Sequence, residues 1–247
     1  MSLITQIYKP MANVGQVYAL PYGVAGPLAP IGNVLELTIT HDEEIKKQAD
    51  FTRLGGGTHA QFRRVNSANV SFTMADINMV NFTRAVLGTA SEVEGAVITG
   101  EAHKAYKGGL IRLKNLQPSA VTLKKGAAPI TAAGNYQVRP EGIYVLPDAA
   151  GIVDADDITV DYTHVTTATL EALTQKAPEL QICFGGLNEA DSGKPVVVDL
   201  WRVGQGVAKT LALMNNNFMG LPVEGELLID PTKVGDSISR YYRVQFT

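Results

Sequence analysis

At 247 residues the chain can bury a sizeable core as one all-β domain or as two domains. Its single cysteine excludes an intramolecular disulfide and a thiolate-rich metal site. A net charge of −3 and a pI of about 5.8 exclude the usual independent nucleic-acid binder, which carries a basic excess to neutralise phosphates.

The first 35 residues hold one charge, Lys9, with Pro10, Pro21, Pro27, Pro30, Tyr8, Tyr18 and Tyr22 among many aliphatic residues. Such a segment is too apolar for a disordered tail and too broken by Pro and Gly for a long helix or a central strand. Residues 1–33 therefore predict an extended arm, packed either on its own domain or on a neighbouring subunit. Pro10, Asn13, Gly15 and Gln16 interrupt any signal-peptide core, and no run approaches the ~18–20 apolar residues of a membrane helix, so synthesis in the cytoplasm without membrane insertion is expected.

From Val34, the alternation of Leu35, Leu37 and Ile39 with Glu36, Thr38 and Thr40 predicts a half-buried strand, and residues 70–74 predict a second. Between them, residues 41–68 have little apolar periodicity and contain His41-Asp42-Glu43-Glu44, Gly55-Gly56-Gly57 and Arg63-Arg64, the pattern of a long functional loop. Asp76 is placed as the N-cap of a helix over about 76–87. Ile77, Val80, Ala85 and Leu87 are to lie on a sheet, with Gly88 as the stop.

After a linker around 89–96, short β-branched or aromatic runs at 121–123, 136–138, 143–146 and 158–162 alternate with Gly126, Gly134, Gly142 and Gly151, the spacing of a sandwich or barrel. Charge is segregated here. All charges in 102–140 are basic, and all in 141–161 are acidic. The blocks can pair within one module, or head to tail between copies. A third section starts near Ala177, with strands at 180–184, 196–203, 223–229 and 238–246 and a turn at Gly185-Gly186-Leu187-Asn188. Cys183 is expected as a buried small hydrophobe, and Trp201 as a core residue.

Groups suited to catalysis are scattered. His41, His59, His103 and His164 lie on four segments without metal spacing, and Asp154-Ala155-Asp156-Asp157 lacks the glycine and distant Glu of a calcium loop. Gly55-Gly56-Gly57 is followed by Thr58-His59 and not by Gly-Lys-Ser/Thr, and there is no Gly-x-Ser-x-Gly elbow. No enzyme, cofactor or metal is expected. Charged residues make up only 18%, below the roughly 25% usual for soluble domains, which points to more covered surface than one monomer offers.

Several stretches in order resemble the tail tube (major tail) proteins of long-tailed bacteriophages, of the non-contractile type. They are Pro30-Ile31-Gly32-Asn33-Val34-Leu35-Glu36-Leu37, the strand and helix over 70–88, Phe184-Gly185-Gly186-Leu187-Asn188, Asp199-Leu200-Trp201-Arg202, Asn216-Asn217-Phe218-Met219-Gly220-Leu221 and Glu224-Gly225-Glu226-Leu227-Leu228-Ile229-Asp230. The resemblance implies a mainly β protein, a sandwich or barrel with one flanking helix, spanning 34–247, with 104–175 as tube strands or an inserted immunoglobulin-like section. It also implies hexameric rings stacked into a hollow virion tail that passes double-stranded DNA without gripping it, and tape-measure, terminator and distal tail proteins as partners. Six copies at −3 give a ring of −18, which repels phosphate.

The candidate inter-subunit residues are Ile4, Ile7, Tyr8, Tyr18 and Tyr22 in the arm, Phe51, Arg53, Phe62 and Arg63 in the long connection, and Lys124, Lys125, Asp154 and Asp156 in the charge blocks. Competing readings are a head-tail connector or tail terminator, the tube of a contractile tail or injection machine, and, of a different class, a carbohydrate-binding or capsid-decorating β-sandwich.

Overall fold

Period-two stretches pair into antiparallel sheets throughout residues 9–247, the part of the chain that the computed structural model describes. Contacts divide the chain into two units, one of residues up to Thr89 with Glu171–Thr247, the other of Ala90–Leu170. In chain order, strands β1 (Asn13–Pro21), β2 (Ala29–Pro30), β3 (Val34–Ala49) and β4 (Thr58–Met74) precede helix α1 (Met79–Ala85). Next come β5 (Thr89–Val93), β6 (Val97–Ala105), β7 (Leu110–Arg112), β8 (Ser119–Lys125), β9 (Ala128–Ile130), β10 (Tyr136–Arg139), β11 (Gly142–Val145), β12 (Asp156–Thr163) and β13 (Thr167–Glu171). The chain returns to the first unit with β14 (Glu179–Asn188), β15 (Lys194–Gln205), β16 (Leu221–Leu227) and β17 (Tyr242–Phe246).

The first unit is built on one sheet in the order β2-β1-β14-β15-β16-β4-β3, with β17 beside the first half of β15. Val17 of β1, the strand next to the β2 edge, and Leu37 and Ile39 of the opposite edge strand β3 line one groove with Phe184 and Val198, so the sheet curls around its core. That core gathers Val17, Ala19, Val70, Phe72, Met74, Leu180, Ile182, Leu200, Val203, Leu221 and Val223. The section after Ala177 therefore completes the first unit.

Within the expected arm, Asn13–Pro21 and Ala29–Pro30 form strands. β1 pairs with β14 from Asn13↔Asn188 to Pro21↔Leu180, and Val17 and Ala19 enter the core of their own unit. Prolines stand only at the ends, Pro21 closing β1 and Pro30 closing β2, where a missing N–H costs no ladder bond. The expected turn at 185–188 is also strand. Gly15 faces Gly186, and a Cβ on Gly15 would overlap the Gly185 carbonyl and Gly186 Cα, so the glycines serve close backbone approach. The actual turn is a single 3-10 turn at Glu189–Asp191.

The expected loop 41–68 is a hairpin. β3 and β4 stay paired as far as Ala49↔Thr58, leaving only 50–57 as loop. A bulge between Val34 and Glu36 turns Leu35 outward, 66% exposed, while Leu37 and Ile39 keep the expected inward side. Helix α1 is shorter than the periodicity predicts. Asn78 caps it, its Oδ1 accepting from Asn81 N at 2.8 Å, whereas Asp76 accepts from Asn33 N at 2.9 Å. Ala85 is buried as expected, but Ile77 and Val80 face outward.

Cys183 lies on the face of β14 opposite Leu180 and Ile182 and is half-buried, not core; burial, and then the neighbouring Asp199, pushes its thiol up to about 11. Trp201 is buried, its Nε1 donating to Ser239 O at 3.1 Å, with Lys233 Nζ 4.1 Å from its ring. Among the described residues no helix is long and apolar enough to cross a membrane.

The second unit has a four-stranded sheet, β6-β12-β8-β9, and a three-stranded sheet, β10-β11-β7. Leu113, Leu123, Ile143, Val145, Ile152, Ile158, Val160 and Tyr162 fill its core. It starts earlier than 104, since the expected linker supplies β5 and β6, and β5 pairs with β13 in a separate two-stranded sheet. Its polar centre is Glu101, which accepts from Tyr162 OH at 2.5 Å and Lys114 N at 2.9 Å and bonds His103 Nε2 at 2.7 Å; Asn115 Nδ2 donates to the same Tyr162 oxygen at 3.1 Å.

Candidate assembly surface

Beyond His41 the β3–β4 hairpin leaves the core. Along residues 41–66 no side chain is buried, and all but Asp50 are exposed. The cross-strand register sets its two faces, because paired residues share a side. Glu43, Ile45 and Lys47 lie with Val65, Arg63 and Gln61 on one face, and Glu44, Lys46 and Gln48 with Arg64, Phe62 and Ala60 on the other. Each face thus mixes an apolar centre with charge. Arg63 Nη1 is 3.4 Å from Glu43 and Lys46 Nζ 3.2 Å from Glu44, ion pairs too exposed to stabilise the ribbon much.

The tip is shaped locally. Asp50 Oδ1 accepts from Thr52 Oγ1 at 2.6 Å and Thr52 N at 2.8 Å, which holds its carboxyl below the usual range. Gly55, Gly56 and Gly57, at φ of 100°, 66° and 140°, return the chain through conformations that side chains rarely adopt. Phe51 and Leu54 are left 92% and 102% exposed at the turn. An isolated two-stranded ribbon is at best marginal in water, and this one exposes Ile45, Phe51, Leu54, Phe62 and Val65. Within the described sheet, β3 pairs only with β4, so its outer edge offers unpaired main-chain groups along its whole length.

Phe51, Arg53, Phe62 and Arg63 come together on this ribbon, and Arg53 Nε lies 3.8 Å from Asp50. The other candidates do not join them. Ile4, Ile7 and Tyr8 lie outside the described residues. Tyr18 is half-buried on β1, its OH donating to Gln16 Oε1 at 2.8 Å. Tyr22 is tied inward: its OH donates to Asp230 at 3.0 Å, and the Arg202 guanidinium, itself bidentate to Glu179, covers its ring at 5.1 Å.

The charge blocks pair inside the second unit. Lys124 bonds Asp161, Lys125 bonds Asp156 at 2.7 Å, Lys104 bonds Asp157 at 2.8 Å, and Asp154 caps Lys107 N at 2.8 Å. The cause is topological, since acidic β12 lies between β6, which carries Lys104, and basic β8, so blocks separate in sequence become cross-strand neighbours.

Sequence reasoning missed a second exposed apolar group, Leu213, Met214 and Phe218, in the loop between β15 and β16. The signal was present, for residues 210–223 carry no charge at all.

No curated protein matches this chain. The family described as "Protein of unknown function UCP028589" matches residues 10–245, nearly the whole of both units, and the chain belongs to that family.

Proposed function

We propose that this chain is a structural subunit of a phage-type tail tube, with six copies forming a ring and rings stacking into a conduit for double-stranded DNA. The observation that carries the reading is the β3–β4 ribbon beyond His41, paired along its length yet with no side chain buried among the described residues. Such a ribbon gains stability only when another molecule covers it. The free edge of β3 supports lateral joining, in which strands of neighbouring copies continue one sheet and remove the edge. The low charge content and the net −3 favour a wall that neither grips nor is coated by polyanion. The ordered sequence resemblance supplies the ring number and the machine.

Electron microscopy and analytical ultracentrifugation of the purified chain, alone and with tail-initiating proteins of the same particle, test this directly. Hexameric rings or tubes are expected. A chain that stays monomeric at high concentration in both conditions overturns the reading.

A further inference from the structure

The three-stranded sheet of the Ala90–Leu170 unit turns one face to its core and the other outward. Tyr136, Ile143, Val145 and Ile111 fill the inner side. Cross-strand pairing fixes the outer side as two rows, because paired residues, and alternate residues along one strand, share a face. One row is Arg139, Gly142 and Arg112, across β10, β11 and β7; the other is Gln137, Tyr144 and Leu110. Arg112, Gln137 and Leu110 are exposed, and Arg139 and Tyr144 are half-buried. Only a glycine stands between the two arginines, which lie two strand spacings apart, on the order of 10 Å.

Both guanidiniums are held in place without being neutralised. Arg139 lies over the Tyr144 ring, 4.0 Å from its centroid, and Arg112 Nη1 donates to Glu141 O at 3.1 Å and to Leu113 O. Glu141 thus offers Arg112 its backbone oxygen and not its carboxylate. Among the described residues no carboxylate lies within ion-pair distance of either arginine, and residues 1–8 contain no Asp or Glu. In the same unit Lys104, Lys124 and Lys125 are all matched by aspartates. Cations that neighbours fix in position and no carboxylate neutralises suit an outside anion, since little side-chain freedom is lost when it binds.

The surroundings select among anions. The unit holds nine acidic residues against seven basic ones, so it repels a nucleic-acid duplex, which carries one charge per about 1.7 Å. The partner therefore bears its charges sparsely. The edge strands, β7 of three residues and β10 of four, are too short to add a peptide strand through main-chain bonds along its length. What the face offers is flat and amphipathic, with Leu110, 46% exposed, beside the Tyr144 phenol and the Gln137 amide. A pyranose ring has the matching surface, apolar C–H groups on its faces and hydroxyls at its rim. We infer that this face binds an acidic polysaccharide, with carboxylates on separate sugars meeting Arg112 and Arg139 and the rings lying along Leu110, Tyr144 and Gln137. The site belongs to the second unit alone and is independent of how copies assemble.

Calorimetry of the full chain with hyaluronan, a polymer with one carboxylate on every second sugar, tests this. Binding is expected that weakens by about tenfold or more from low to high salt, with neutral dextran left unbound. Hydrogen exchange in the wild-type chain is expected to slow on β10 and β11 when hyaluronan is added. Arg112→Lys/Arg139→Lys keeps the charge but loses the planar forks and the ring contact, so it is expected to melt with the wild type and to bind about tenfold more weakly. No binding of hyaluronan, protection confined to other strands, or equal binding by the lysine variant overturns the inference. Polyglutamate or duplex DNA held as tightly as hyaluronan also overturns it, the first in favour of an acidic peptide and the second in favour of phosphate. If the lysine variant melts early, the exchange footprint on the wild-type chain decides.

Discussion

Glu101 anchors the polar centre of the Ala90–Leu170 unit. Burial alone raises its pKa, but the hydrogen bonds from Tyr162, His103 and Lys114 N outweigh burial and hold the carboxyl below its ordinary range. A carboxyl with a depressed folded pKa stabilises the fold at every pH above its unfolded value, about 4.3, and that contribution is lost as pH falls through the lower folded value. The second unit is therefore expected to lose stability below about pH 5, with a slope shallower by about one proton in Glu101→Gln. Urea denaturation between pH 3 and 7 measures it, and an unchanged acid slope in the variant counts against the assignment. Tyr162→Phe, which strips the half-buried carboxylate of one donor, should cost about 1–3 kcal/mol at neutral pH. None of this network was visible in the sequence, since Glu101, Asn115 and Tyr162 meet only after β12 has paired with β6. The paired glycines misled in the same way. Gly185-Gly186 looks like a turn until Gly15 is known to lie against it.

Among the elements, legibility followed burial. Residues 70–74 alternate cleanly because one side of β4 faces the core there, and residues 41–66 do not because neither side does. Backbone pairing continues where the side-chain signal stops, which is why the ribbon has the sequence pattern of a loop. The same cause makes the ribbon dispensable for folding. Replacing residues 45–63 by Asn-Gly, a turn matched to a two-residue hairpin, removes no buried side chain. The shortened chain is expected to melt within a few degrees of the full one, as exposed changes rarely exceed about 0.5 kcal/mol each, and to form no stacked tubes by electron microscopy. A large fall in melting temperature shows instead that the ribbon belongs to the fold. Deleting residues 1–30 removes β1 with Val17 and Ala19 from the core and is expected to unfold the first unit.

For the molecule as a whole, the segregated charge and the strand spacing after residue 96 leave open whether that stretch is tube strands or an inserted section, and contacts set Ala90–Leu170 apart as a unit of its own. Basic and acidic blocks look complementary between copies when read along the chain; folded, β12 between β6 and β8 pairs Asp156, Asp157 and Asp161 with Lys125, Lys104 and Lys124 of the same chain. The module has its own core, and the chain leaves and re-enters the first unit at neighbouring points, with Thr89 Oγ1 lying 2.7 Å from Thr174 Oγ1. A short Gly-Ser bridge from Thr89 to Glu171 therefore closes the first unit at little entropic cost. The bridged chain is expected to fold and still assemble, and residues 90–170 made alone are expected to show a cooperative melt, though a shallow one for so small a domain. Circular dichroism and ultracentrifugation of the two pieces decide the matter. If the bridged chain folds but remains monomeric, the second unit is part of the subunit contact; if residues 90–170 show no transition, they are not an independent folding unit.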